Sequence, residues 1–578
     1  MSATKPILAL AVLLAWGLSG AGCNQSGGDR GVAGGRPDVL PAEQRSIEAR
    51  PGATRKIQES DIYRISSQTL FVQNPARGLA VIDVSDPDRP ALRHQLTALT
   101  GRGGELFLKG PDLLLVFAEG ASAPGRAEVV GVTAAASAPA AGARVLLDGV
   151  LVASRLVGDL LYAVTREGED LQARTWVTSL RVQDPALPVV VARQVVGGYG
   201  HEVHVTDRAI YLAEHALTPR FESVTRLRYV DISDPNGAIA LRGELDLPGA
   251  PQGRFHLDAV GASFRIVTFA GREDGTNLFV IDASDPDRLR VQGQLIGLAK
   301  GEDLRATRFV GDRAYVVTFA PQIEKVSGFF FLIDPLWVIS LADPAQPRVL
   351  GELQVPGWSD YVFPRGDRLL AVGRGGAIGE TVAAALFDVS DPTKPRELRR
   401  LEFGVPSSAT SEANSDFRGV AVIESGALGG EALLAVPYTD NLHDAQGRCA
   451  PEHYVQLFDL RPDDLVLRGK VRETGLVRRA LPLGGRLYAI TDKTVAAIDV
   501  SDRGAPRNLA SLETGDVAAV ESCAEVFVPR PTIVFTGGCA LGPGHGAPSS
   551  AAGALLLALL GALVLSRRAS GAARRPGA

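Results

Sequence analysis

One short phrase recurs along this chain and constrains its fold more than any other feature. An apolar run ends in Asp, and a Ser-Asp-Pro step follows, at an interval of about 50 residues between clear copies. The clear copies are Val81–Pro87, Tyr229–Pro235, Val280–Pro286 and Leu386–Pro392, and weaker ones end at Pro185 and Pro344 or cover Leu457–Leu460 and Ile498–Asp502. A repeat of this length is typical of the blades of a propeller.

The chemistry of the repeat predicts its structure. The β-branched and aromatic run favours a strand, and Ser-Asp-Pro ends it, because the carboxylate accepts from nearby backbone N–H groups and Pro removes a ladder donor. A second phrase, Gly-Asp or Gly-Gly between apolar runs, comes earlier in several units, as at Gly158-Asp159, Gly311-Asp312 and Gly484-Gly485. Such dipeptides form tight hairpins because they tolerate positive φ. Each unit therefore predicts four antiparallel strands.

The sequence thus predicts an all-β fold, a β-propeller of four-stranded blades. Nine units can be counted from Asp61 onward, and the second, residues 104–148, is degraded and rich in Ala. We expect eight blades, with one terminal unit split or shared where the ring closes, and seven or nine as alternatives. Closure of the ring hides the sheet edges. A solenoid is the other repeat architecture, although its repeats usually run shorter.

The N-terminal residues have the pattern of an export signal. Lys5 precedes an apolar run, Ile7–Leu18, which is too short to span a bilayer, and small residues lead to Cys23. The small residues before Cys23 resemble a lipoprotein processing site, at which this thiol would be acylated, although Gly20 stands where Leu is usual. Ordinary secretion, with Cys23 incidental, is the alternative.

The C-terminal residues also indicate the cell envelope. Ala551–Leu565 is almost purely apolar, marginal in length for a membrane span, and four arginines follow it. With Cys539 just upstream, this tail resembles the C-terminal sorting signal of myxobacterial surface proteins. A plain membrane anchor is the alternative. Both interpretations of the tail place the predicted propeller outside the cytoplasm.

These patterns divide the chain into five parts. They are an export signal peptide over residues 1–22, a flexible tether over 23–56, the β-propeller over 57–512, a C-terminal extension and spacer over 513–550, and a hydrophobic anchor or sorting tail with a basic end over 551–578.

Composition and motifs argue against several functions. The formal net charge of −5 disfavours a nucleic-acid-binding body. The chain has no Gly-Xaa-Ser-Xaa-Gly elbow and no phosphate-binding Gly-Lys-Ser/Thr loop. Its eight histidines are few, and in the densest group His201 and His204 would point to opposite faces of a strand. We therefore predict no catalytic residues, no metal and no cofactor.

Charged residues in the predicted innermost strands are the candidate binding residues. Arg155, Asp258 and Arg308 each stand three residues before a hairpin Gly. The first strand of each blade lines the channel of a propeller, so these side chains predict a polar funnel. It is either a structural ion-pair network or a binding mouth for an anion, a glycan or a peptide.

The four cysteines fit an exported protein. If Cys23 is lipidated and Cys539 is consumed in sorting, Cys449 and Cys523 remain and could pair in an oxidising compartment. Cys523 with Cys539 is the competing pair if the tail is a simple anchor.

Several segments resemble a family of secreted bacterial proteins that contain a β-propeller domain. The resemblance covers residues 57–512 and is carried by Glu59–Tyr63, Leu298–Glu302, Ala306–Phe319, Asp334–Ile339 and Val355–Tyr361. It implies an exported propeller and no established catalytic activity. Phe417 departs from the family pattern, because a histidine is expected after the acidic residue at this place.

Together these patterns predict a non-enzymatic module anchored at the cell surface or envelope, whose propeller binds a protein or a glycan of the envelope. The membrane would be contacted through the two termini. A propeller-type hydrolase or lyase with a site at the channel mouth is the alternative, and convergence of His, Asp and Arg at one mouth would favour it. A structural envelope protein without a specific ligand is a third possibility.

Overall fold

The computed structural model is all-β. It describes residues 55–121, 123–134, 138–168, 172–217, 223–323, 330–376, 379–519 and 521–523. The predicted signal peptide, most of the tether, Cys23, Cys539 and the C-terminal tail lie outside these residues. No helix in the ranges just given is long and apolar enough to cross a membrane.

Nine four-stranded antiparallel sheets follow one another along the chain, and we number them blades 1 to 9. In each blade the first strand is innermost and the fourth is outermost. Blades 1 to 3 comprise Tyr63–Ser66, Thr69–Asn74, Gly78–Asp83 and Ala91–Leu96; Glu105–Lys109, Asp112–Phe117, Glu128–Thr133 and Ala140–Leu146; and Val150–Val157, Leu160–Glu167, Arg174–Arg181 and Val189–Gly197.

Blades 4 to 6 comprise Gly200–Val205, Ala209–Leu217, Ser223–Asp231 and Ala240–Pro248; Leu257–Val260, Ser263–Phe269, Thr276–Asp282 and Arg290–Leu298; and Asp303–Val310, Arg313–Ile323, Phe330–Ser340 and Arg348–Pro356. Blade 7 comprises Trp358–Arg365, Arg368–Gly375, Thr381–Asp388 and Arg396–Phe403.

Blade 8 has a split innermost strand, Ala409–Thr410 and Ala421–Ile423, followed by Ala432–Asp440, Glu452–Leu460 and Leu465–Glu473. Blade 9 comprises Val477–Leu483, Arg486–Thr491, Thr494–Asp499 and Arg507–Glu513. Three short strands, Ile57–Gln58, Gly101–Arg102 and Glu119–Gly120, and three short 3₁₀ helices, Arg254–His256, Glu412–Asn414 and Phe417–Gly419, complete the described elements.

The predicted fold class is therefore confirmed. The Gly-Asp phrase joins the first and second strands, as where Val157 pairs with Leu160 across Gly158. The Ser-Asp-Pro phrase joins the third and fourth strands, and its aspartates act as predicted: Asp83 accepts from the backbone N–H of Ser85, and Asp86 accepts from that of Asp88.

The core lies between the blades. Nine buried apolar clusters occur in the described part of the chain, and each joins one blade to the next. The cluster that closes the ring packs Leu70 and Ile82 of blade 1 against Tyr488 and Ile490 of blade 9. Burial of these faces is the main favourable term that holds neighbouring blades together.

The structure has nine blades, whereas we expected eight and gave nine as an alternative. That expectation assumed a terminal unit shared across the point of closure. In the structure the strands of blade 9 and of blade 1 are each contiguous in sequence, so no blade is shared. The two blades instead meet through the apolar cluster and through hydrogen bonds, such as Tyr488 Oη to the carbonyl of Pro87 at 2.8 Å.

The repeated turn also connects blades. In the outermost strand of blade 5, Gly293 lies so close to the turn of blade 6 that a Cβ would stand 2.2 Å from the carbonyl oxygen of Pro344. The outermost strand of blade 4 makes the same approach, and there the N–H of Gly243 donates to the carbonyl of Pro286 at 2.7 Å. The Ser-Asp-Pro turn of one blade thus docks on a glycine of the blade before it.

Candidate functional site

The chain enters the ring through its central channel. Ile57 and Gln58 pair with Val157 and Leu156, so this short strand adds to the inner edge of blade 3. Further along, Asp61 exchanges backbone hydrogen bonds with Leu106 of blade 2. Residues 55–61, which we call the N-terminal segment, therefore run along the inside of the ring before blade 1 begins.

A buried ionic cluster holds the end of this segment. Arg479 of blade 9 lies 2.9 Å from Asp61 Oδ1 and 2.9 Å from Asp416 Oδ2. Arg418 donates to Asp416 at 2.8 Å and to Glu105 of blade 2 at 3.0 Å. All five side chains are buried, and their contacts tie blades 2, 8 and 9 to the N-terminal segment.

The charges of the cluster stabilise one another. Burial alone would raise the pKa of Asp61, but Arg479, Arg418 and Arg64 outweigh it and hold that pKa below its ordinary value. The pKa of Asp416 is lowered in the same way, because Arg418 and Arg479 outweigh the effect of burial. These two carboxylates are therefore ionised and paired with Arg418 and Arg479.

Aromatic side chains fill the channel beside the ionic cluster. Phe255, in the 3₁₀ helix before blade 5, meets Phe417 of blade 8 with ring centroids 4.7 Å apart, and Tyr361 of blade 7 lies 5.7 Å from Phe417. The neighbouring His256 is buried, and burial lowers its pKa to about 3, so its imidazole is neutral near pH 7. These contacts join blades 5, 7 and 8, so the chain's own aromatic rings lie inside the ring of blades at this level. Phe417, the departure from the family pattern, is one of them.

The three predicted channel residues lie on innermost strands but do not form one constellation. Arg155 Nη2 lies 3.3 Å from Glu59 Oε1 in the N-terminal segment. Asp258 accepts from Arg265 of the adjacent strand at 2.8 Å. The guanidinium of Arg308 lies 3.8 Å from the centroid of the Phe255 ring. Arg155 and Asp258 thus form separate ion pairs and Arg308 stacks on an aromatic ring, so the ion-pair network and the binding mouth both stay predictions.

The central residues Asp61, Asp416, Arg418 and Arg479 were not among the sequence candidates. A partial signal existed, because Glu59–Tyr63 is one of the segments that resemble the family and Phe417 is the position that departs from its pattern. The connection between them was not visible, because Asp61 and Arg479 are 418 residues apart in sequence.

A second cluster surrounds the end of the propeller. Cys449 and Cys523 form a disulfide with their Cα atoms 5.5 Å apart, and this pairing is the first of the two that we considered. Glu521 lies 3.0 Å from His453 Nε2 and forms an ion pair with Lys493 of blade 9. The segment that follows blade 9 is thus fastened across blades 8 and 9.

No group of His, Cys, Asp or Glu side chains within the described ranges could hold a metal ion. In the channel the acidic and basic groups converge on one another. The arrangement can therefore fix the N-terminal segment and the inner edges of several blades.

Nine four-stranded blades around a channel filled by the chain itself define a β-propeller protein. The family described as "Beta propeller domain" matches residues 168–503, more than half of the chain, and the chain belongs to this family.

Two curated relatives are archaeal and uncharacterized. One, from Methanocaldococcus jannaschii, is 32% identical over 199 residues, which are 34% of this chain and 28% of the relative. The other, from Archaeoglobus fulgidus, is 34% identical over 192 residues, which are 32% of this chain and 28% of the relative. The matched part is thus less than a third of either relative. Among solved structures, Sqt1 of Chaetomium thermophilum is 14% identical, with a TM-score of 0.36, over 79% of this chain and 99% of that one.

Proposed function

We propose that this protein is a non-enzymatic binding module, a rigid propeller displayed at the bacterial cell envelope that binds an envelope protein or glycan. The observation that carries the proposal is the self-filled channel. Arg418 and Arg479 pair with Asp61 and Asp416, and Phe417, which lies between Asp416 and Arg418 in sequence, packs on Phe255. A substrate at this centre would have to displace buried, mutually paired charges.

The energetic cost of such displacement favours binding elsewhere on the ring. Separating a buried ion pair leaves an uncompensated charge, which costs about 3–5 kcal/mol. A hydrolase or lyase at the channel mouth would need reactive groups free to meet a substrate. The loops and the outer rim carry no such penalty, so we assign partner contacts to them.

Display at the envelope is the second part of the proposal. The disulfide between Cys449 and Cys523 supports it, because such bonds persist in oxidising compartments and are rare in the bacterial cytosol. Labelling the full chain in cells with a fatty-acid probe tests the N-terminal anchor. We expect a fatty-acid label that the Cys23→Ala variant lacks. An unlabelled wild-type chain would refute lipidation.

The binding function is tested with the purified mature chain and envelope vesicles of the producing bacterium. We expect saturable binding that protease treatment abolishes for a protein partner, or that periodate treatment abolishes for a glycan. Protein-free liposomes of the same lipids serve as the control. Equal binding to the liposomes, or none to either, would contradict the function.

A further inference from the structure

The outermost strand of blade 9, Arg507–Glu513, is the last strand of the ring. It pairs on one side only, with the third strand of its blade, Thr494–Asp499, and none of its seven residues is buried. The outermost strands of blades 1 to 8 each lead into the next blade, whereas this one leads into the C-terminal extension. Without a further connection, a pull on that extension would act on this strand before any other.

Beyond this strand the chain turns back across blade 9. The N–H groups of Thr514 and Gly515 donate to the carbonyl of Lys493 at 3.0 and 2.8 Å. The ammonium of Lys493 donates in turn to the carbonyl of Ala519 at 3.1 Å. Residues 514–519 and 521–523, which we call the strap, thus cross the turn between the second and third strands of blade 9.

One carboxylate of the strap joins blade 9 to blade 8. Glu521 forms an ion pair with Lys493, and its Oε2 lies 3.0 Å from Nε2 of His453 in blade 8. The side chains of Lys493 and His453 are each only 8% exposed. Burial would raise the pKa of Glu521, but Lys493 and His453 outweigh it and hold that pKa below its ordinary value. The strap is therefore held by an ionised side chain that contacts two blades.

The disulfide then joins the strap to blade 8 covalently. Cys523 is bonded to Cys449, which lies in the loop between the second and third strands of blade 8. Those two strands, Ala432–Asp440 and Glu452–Leu460, pair along nine residues, and neither is an edge of its sheet. A pull that arrives at Cys523 therefore passes into the middle of blade 8 and bypasses the outermost strand of blade 9.

A reductant in solution can reach this bond. Both cysteines are half-buried, and their neighbours Arg448, Ala450 and Ser522 are exposed. Exposed disulfides are the labile and regulatory ones, whereas structural disulfides resist reduction. The bond between Cys449 and Cys523 is thus placed where it can be opened while the ring stays folded.

We propose that the strap is a redox-sensitive latch. Closed, it transfers load on the C-terminal tail to blade 8, and reduced by a dithiol, it lets the outermost strand of blade 9 peel from the ring. In the reduction one thiolate of the dithiol attacks a sulfur of the disulfide, and the second thiol resolves the mixed disulfide. The Sγ–Sγ bond breaks, Cys449 and Cys523 become thiols by gaining two electrons and two protons, and the dithiol becomes a disulfide. The proposal rests on the proposed display at the envelope, because the tail bears load only where it is attached.

Hydrogen–deuterium exchange of the purified mature chain tests whether the bond holds the strand. We expect reduction with dithiothreitol to speed exchange in residues 507–513 by about tenfold, because the strap then no longer confines the strand. Residues 290–298, the outermost strand of blade 5, are the internal control and should not respond. The variant with both Cys449→Ser and Cys523→Ser should exchange at the fast rate with or without dithiothreitol, which separates loss of the bond from other effects of the reductant.

Pulling single molecules by their two ends in an optical trap tests the path of the load. The reduced protein should show an early step of about 50 Å that the oxidised protein lacks, since residues 507–523 then extend at about 3.3–3.6 Å each. Steps that the oxidised and the reduced protein share belong to other parts of the chain.

Two results would overturn the proposal. One is exchange in residues 507–513 that is the same before and after reduction, and the other is a first step of equal length in the oxidised and the reduced protein. Vesicle binding by the oxidised protein measures the binding function with the latch closed. Its failure would remove the proposed function and leave both measurements of the latch in place.

Discussion

At the scale of single residues, the centre of the ring depends on a few buried charges. Asp61 accepts from Arg479, and Asp416 pairs with both Arg418 and Arg479. Such a cluster stabilises the fold little more than well-packed apolar side chains of similar volume would. Removing one member is costly, however, because it leaves the charges of its partners buried and uncompensated. The N-terminal segment is therefore sensitive to single charge deletions.

Asp61→Asn should lower the free energy of unfolding by about 3–5 kcal/mol, because Arg479 and Arg418 would lose a buried counter-charge. Asn keeps the oxygen that accepts from the N–H of Ile62, so the change isolates the charge. Denaturant unfolding measures it. Asp444→Asn is the control, because its partner Arg448 is 77% exposed, and should cost less than about 1 kcal/mol. Equal losses for the two variants would contradict the account.

The stability of the protein should depend on the ionisation of Glu473. Most acidic side chains of a folded protein stabilise it as the pH rises, but Glu473 should have the opposite effect. Burial raises its pKa from 4.5 to about 7, an effect that Asn508 only partly offsets. The folded protein then holds a proton that the unfolded chain releases, so stability falls as pH rises from about 4.5 to 7. Glu473→Gln should remove this loss and gain up to about 3 kcal/mol at pH 8, with little change at pH 4.5. The free energy of unfolding of both proteins is measured at pH 4.5 and at pH 8. The same difference between variant and wild type at the two pH values would refute the prediction.

At the scale of elements, the repeated phrase serves both its own blade and the one before it. Its aspartates close the turn, and the Pro carbonyl reaches the neighbouring outermost strand. The turn chemistry could be predicted because it depends on residues close in sequence. The docking glycines could not, since their partners lie about 50 residues away and a Gly in a strand has several explanations.

Gly293→Ala should weaken the contact between blades 5 and 6. Its Cβ would meet backbone atoms of Pro344 and Ala345, which cannot move aside as a flexible side chain can. We expect a loss of about 1–3 kcal/mol, typical of overpacking. Gly253→Ala is the matched control, because no atom lies within 4 Å of a Cβ there and its backbone is extended. Chemical denaturation compares the two, and an unaffected Gly293→Ala protein would contradict the docking role.

At the scale of the whole molecule, the ring closes without sharing a blade. The apolar cluster between blades 1 and 9 and the N-terminal segment both contribute. The sequence predicted the propeller and located Arg155, Asp258 and Arg308 on innermost strands. Nine repeat units could be counted, but the way the ring closes could not be predicted, because it depends on contacts between blades 1 and 9 across almost the whole chain.

Replacing Cys449 and Cys523 together by Ser should lower the melting temperature. The bond closes a loop with a sequence separation of 74 residues, for which the chain-entropy account gives about 4 kcal/mol. The wild-type protein melted under reducing conditions should match the variant, which serves as the control. A melting temperature that is the same with and without the disulfide would contradict a stabilising role for this bond.

The central claim is that this protein is a nine-bladed ring whose channel its own chain fills. An experimental density map of the full chain, viewed along the ring axis, tests it most directly. The account predicts nine four-stranded blades, with continuous density in the channel for Asp61 against Arg479 and for Phe255 against Phe417. Eight blades with a shared terminal sheet, or an open, water-filled channel, would contradict it.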